Sequence, residues 1–102
     1  MPAIKHVVLL KFKPTTSAKQ IADLFRQLAE LKALIPGIRT FEGGPYSSEE
    51  GLHQGYTHGF VMEFESAKHR DDYLPHPEHE RVKSAIIPNI DGVVAFDFEL
   101  PK

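Results

Sequence analysis

The chain has 102 residues, of which 41% are hydrophobic and 25% charged, with a formal charge of −2 and no cysteine. That length supports one domain, expected to span residues 1–102, and one core, for which burial against a second copy would be a useful supplement. Disulfide frameworks, thiolate metal sites and thiol nucleophiles are excluded. The scattered charge offers no field for nucleic acid, and no apolar run reaches the roughly 20 residues of a membrane span.

The first six residues lead straight into an apolar pattern, without the basic and apolar regions of a leader, so the expected location is the cytoplasm. Ile4 to Phe12 alternates as a strand, with His6, Val8, Leu10 and Phe12 on one face and Val7, Leu9 and Lys11 on the other. Both faces are largely apolar, which predicts an interior strand. Thr15, Thr16 and Ser17 offer capping hydroxyls, and Ile21, Leu24, Phe25, Leu28, Leu31 and Ile35 recur at helical spacing until Pro36-Gly37.

Ile38 to Glu42 is a short strand, expected to break at Gly43-Gly44-Pro45 and to give way to a mobile polar loop from Ser47 to Gly55. Tyr56 to Phe64 alternates again, placing His58, Phe60, Met62 and Phe64 on one face. Ser66 can cap a helix running to Tyr73, the Leu74-Pro75-His76-Pro77 segment breaks it, and helical character resumes from Glu78 to Ile86. Gly92 to Leu100 reads as the last strand.

The order βαββαβ, with a divided second helix, predicts an α+β ferredoxin-like fold: a four-stranded antiparallel sheet with both helices on one face. The bare face, apolar on strands one and three, then needs a cover, and a second copy of the same sheet gives a dimeric α+β barrel. The expected assembly is a homodimer.

Histidine is the compositional anomaly, with six in the chain and five of them between His53 and His79. Lys5-His6 followed by Lys11-Phe12-Lys13, Gly55-Tyr56-Thr57-His58, Asp72-Tyr73-x-x-His76-Pro77-x-His79, Phe64-Glu65-Ser66 and Phe96-Asp97-Phe98 stand in one register. Together they resemble the stress-responsive α/β-barrel (Dabb) family over nearly the whole chain, and the likeness extends to its plant polyketide cyclases. The resemblance implies a homodimer with a small-molecule pocket between sheet and helices in each subunit. It implies His79 as acid and base, Tyr73 as its partner, and His6 and His58 as pocket lining. Phe25, Leu28, Phe60 and Met62 complete the expected lining. The cyclase pattern has a tyrosine at the position of Leu28 and an apolar residue at that of Pro75, so the substrate need not be shared.

The expected chemistry is cofactor-independent cyclase or lyase action on a polyketide-like or β-dicarbonyl molecule. Aldol closure needs a proton taken from an acidic carbon and an oxyanion stabilised, which an imidazole and a phenol can supply near neutral pH. Each residue also has a plainer reading. His79 could cap a turn, Tyr73 could be a core aromatic, and His6 and His58 could be buried neutral histidines. No role falls to His53, His69 or His76, and no metal site is assigned, since no carboxylate stands at ligand spacing to the histidines. The rival functions are a non-enzymatic stress-responsive protein and a related monooxygenase or haem binder.

Overall fold

The computed structural model describes residues 2–101, so Met1 and Lys102, the two ends of the expected domain, lie outside the described residues. Strand β1 (Ile4–Phe12) pairs antiparallel on one side with β3 (His58–Phe64) and on the other with β4 (Ile90–Glu99). With β2 (Ile38–Pro45) beyond β3, the sheet order is β2-β3-β1-β4. The split βαβ arrangement expected from the element order is therefore the arrangement observed. Alternation fixes the faces. Ile4, His6, Val8, Leu10 and Phe12 are buried, whereas the intervening side chains of β1 are not.

Helix α1 (Ala18–Leu34) starts at a capping box: the Gln20 N–H donates to Ser17 Oγ (3.1 Å) and the Ser17 N–H to Gln20 Oε1 (2.8 Å). It buries Leu24, Leu28 and Leu31 against the sheet. Gly37 follows with φ +93°, and a Cβ there would stand 2.3 Å from the His69 ring, so glycine permits both the turn and the close approach of α2 (Ala67–Tyr73). Ser66 caps α2. The cap of α3 (Pro77–Ile86) is His76, whose Nδ1 accepts the Glu78 N–H at 3.1 Å. His76, not His79, thus caps the start of α3.

Several boundaries differ from the sequence reading. Strand β2 runs through Gly43-Gly44 to Pro45 instead of breaking there. It is an edge strand, where a proline lacking its N–H leaves no ladder bond unmade, and Gly43 serves packing: a Cβ would lie 2.7 Å from Phe60 Cβ and 2.8 Å from the Phe25 ring. At the other end, β3 begins at His58, with Tyr56 and Thr57 outside the strand, and β4 begins at Ile90, two residues before Gly92.

The core contains Leu31, Met62, Phe64, Tyr73 and Val82, all less than 2% exposed. Burying each such apolar side chain contributes about 1.5–3 kcal/mol against chain entropy. The opposite sheet face is different. Leu9, Val94, Phe96 and Phe98 stand 39–64% exposed on it, flanked by a Lys5–Glu63 ion pair (2.9 Å) that Arg39 extends (3.3 Å). Among the described residues no helix is long and apolar enough to cross a membrane.

Candidate active site

A cavity of about 270 Å³ opens between α3 and the β1 and β4 side of the sheet. Its polar lining is His6 from β1, Tyr73 from the end of α2, and His79 and Lys83 one turn apart on α3; the remainder is apolar. The Tyr73 and His79 rings lie 4.3 Å apart between centroids, and the His6 ring is 6.1 Å from that of Tyr73. Helix α3 carries His79 to this position because His76 and Pro77 start the helix just before it.

The hydrogen bonds decide which nitrogen of each imidazole is basic. His79 Nδ1 stands 2.9 Å from the Leu74 carbonyl oxygen, which only accepts, so Nδ1 carries the proton and Nε2 the lone pair. His6 Nδ1 lies 2.5 Å from Asp97 Oδ1, and the other oxygen of that carboxylate accepts from Arg70 Nη1 at 2.9 Å. A carboxylate held by an arginine has no proton to give. His6 therefore donates through Nδ1.

Two imidazoles, each with its Nδ1 proton engaged, thus line one apolar cavity beside a phenol. Burial lowers the pKa of His79, opposed by its bond to the Leu74 carbonyl, so this imidazole remains neutral, and able to accept a proton, to lower pH than a free histidine. Burial raises the pKa of Tyr73, which keeps its hydroxyl protonated as a donor. The set can take a proton from carbon, hold an oxyanion and return the proton.

Of the eight residues expected at one site, His79, Tyr73, His6, Leu28 and Phe60 line this cavity. His58 and Phe25 do not. They line a separate hollow of about 420 Å³ between the first turns of α1 and the end of β2, with Ile21, Gly43 and Pro45. The Phe25 and Phe60 rings, edge to face at 6.3 Å, stand at the boundary between the two spaces. Met62 is fully buried and lines neither, because its side chain points into the packed centre of the same strand face. His58 Nδ1 meets the Thr57 hydroxyl at 2.9 Å, and burial lowers the pKa of His58 as well.

Sequence reasoning missed Asp97, Arg70, Lys83 and the Leu74 carbonyl. Asp97 carried a legible signal, an acid between two phenylalanines of an otherwise apolar strand, but its partner is 91 positions away. Among the described residues no three His, Asp or Glu side chains gather as a metal site would need.

A family model described as Stress responsive A/B Barrel Domain (Dabb) matches residues 4–100. The chain belongs to the Dabb family. Among curated relatives of this Dabb protein, the stress-response A/B barrel domain-containing protein HS1 of Arabidopsis thaliana is 36% identical, with 94% of this chain and 88% of HS1 aligned. Olivetolic acid cyclase of Cannabis sativa is 32% identical over 76% of each chain. Among solved structures, At3g17210 of Arabidopsis thaliana superposes with a TM-score of 0.91 at 35% identity, covering 97% of this chain and 96% of that one. A dimeric ferredoxin-like protein of Jannaschia sp. CCS1 superposes at 0.85 with 25% identity, covering 96% and 99%.

Proposed function

We propose that this Dabb protein is a cofactor-independent cyclase or lyase acting on a polyketide-like or β-dicarbonyl molecule bound under α3. His79 takes a proton from the carbon between two carbonyls, and the electron pair of the broken C–H bond moves onto a carbonyl oxygen as an enolate. The Tyr73 hydroxyl donates a hydrogen bond to the oxygen that gains charge when the enolate carbon attacks a second carbonyl, and His79 returns the proton. The observation that carries this reading is the His79 Nδ1–Leu74 carbonyl bond, which leaves a bare Nε2 on the cavity beside Tyr73. The likeness to olivetolic acid cyclase supports the reaction class, while Leu28 and Pro75 distinguish the substrate.

The test is turnover of a panel of poly-β-keto thioesters, with deuterium exchange at the activated carbon as a second readout. His79→Ala should lower both by about 10²–10⁴-fold, the usual contribution of a positioned general base, with the fold retained. Undiminished exchange in that variant overturns the mechanism. A second reading has its own support: the same bond ties the turn between α2 and α3, and HS1 is named for stress response. On that reading His79→Ala lowers the melting temperature and changes no chemistry.

The proposed assembly is a homodimer closed through the bare sheet face, as the exposed Val94, Phe96 and Phe98 and the dimeric relatives suggest. Phe96→Glu should convert it to a monomer in sedimentation analysis; a dimer that survives the substitution lies elsewhere.

A further inference from the structure

The cavity under α3 has an electrostatic asymmetry that the acid–base reading does not use. Its lining includes one cationic side chain, Lys83, and no carboxylate. The nearest ion-pair partner of Lys83 is Glu80, whose oxygen is 3.6 Å away, with both side chains 49% exposed, so water screens the pair and leaves the ammonium available. The carboxylate behind the cavity is engaged on both oxygens: Asp97 accepts from His6 with one and from Arg70, which also bonds Asp71, with the other. A ligand entering the cavity therefore meets an apolar wall and a single cationic side chain, one helical turn from His79 and paired through solvent-screened contact with Glu80.

We propose that the cavity binds an amphiphilic anion, an acyl chain ending in a carboxylate, with Lys83 holding the carboxylate and the chain lying against Leu28, Phe60 and Ile86. Lys83 is then a specificity-determining residue. Its charge selects the acid over the neutral alcohol or ester of the same chain, and Arg70 supports that selection by holding the Asp97 carboxylate away from the ligand. The inference rests on the reading of this cavity as a ligand pocket and names the class of molecule admitted to it; it does not depend on which proton His79 moves.

The experiment compares sodium octanoate with 1-octanol by amide chemical-shift titration of the wild-type protein, Lys83→Gln and Lys83→Arg. Lys83 is half exposed, so the substitutions leave the fold intact, and the amide spectrum verifies this. Octanoate should shift amides around Tyr73, His79 and Lys83 and bind at least tenfold more tightly than 1-octanol. Lys83→Gln should abolish that preference by weakening octanoate alone, and Lys83→Arg should restore it. Equal affinity of the two ligands for the wild type, octanoate binding unchanged in Lys83→Gln, shifts confined to other surfaces, or no binding of either ligand each overturns the proposal. Failure of the His79 mechanism shows separately, as undiminished deuterium exchange, and leaves the octanoate preference standing.

Discussion

The two hollows beneath the helices contain the same residue type on the same sheet face, yet they offer different chemistry. In the cavity under α3, each histidine has a partner that fixes its proton: an acceptor-only carbonyl for His79, and an arginine-bound carboxylate for His6. In the hollow beside α1, His58 Nδ1 meets the Thr57 hydroxyl, which also donates to the Leu10 carbonyl at 3.3 Å and accepts the Phe12 N–H at 3.2 Å. Burial lowers the pKa of His58 and His79 alike and does not separate them. Their neighbours do: Tyr73 and His6 line the cavity with His79, whereas no other titratable side chain lines the hollow with His58, and a general base needs a second polar group to hold the oxyanion it creates.

The strongest way to break this contrast is Asp97→Ala. It leaves Arg70 without its shared partner and frees His6, and should destabilise the protein by about 2–3 kcal/mol in urea unfolding. The ¹⁵N spectrum of His6 should also change from a single Nδ1–H tautomer to a mixture. A His6 spectrum that does not change would show that the carboxylate does not set the tautomer. Next, Gly43→Ala sharpens the boundary between the hollows. Its methyl group would stand 2.7 Å from Phe60 Cβ and 2.9 Å from the Gly59 carbonyl, which is backbone and yields little. A loss of roughly 1–3 kcal/mol is expected for such overpacking.

The pH dependence tests what the two regions share. His58 and His79 have lowered pKa values when folded, so below about pH 6.5 the unfolded chain binds protons that the folded chain resists. Their contribution is intact above that pH and is lost as pH falls through the lowered folded values. Thermal stability should therefore decline on acidification from pH 7 to 5, and less steeply in His58→Gln. An identical pH profile in that variant would place the sensitivity elsewhere. The smallest expected effect belongs to Ser17→Ala at the start of α1, about 1 kcal/mol from the lost cap, with ligand binding under α3 unchanged.

Much of this architecture was legible in the sequence, because alternation and helical spacing report which side of each element is buried. Ile4–Phe12 and the Leu24, Leu28, Leu31 stripe needed nothing further. The end of β2 was misread since Gly43-Gly44-Pro45 has turn composition, and only the approach of Phe25 and Phe60 shows why glycine is there. Local pattern gave His6 and His58 the same description, a histidine on an apolar strand face. Their difference lies in their partners, a carboxylate from β4 for His6 and the neighbouring Thr57 hydroxyl for His58. Lys83 was within reach of spacing, four residues after His79, but a lysine on a helix ordinarily reads as a solvated face.

The acceptor for His79 is the main-chain oxygen of residue 74, and this has a consequence for how the site can drift over generations. Any side chain at position 74 that preserves the turn supplies the same oxygen, so the aim of that imidazole is robust to mutation at its partner. His6 has no such insurance: one base change at codon 97 removes its anchor. Diverging lineages of this fold should therefore abandon the orientation of the strand histidine long before that of the helix histidine.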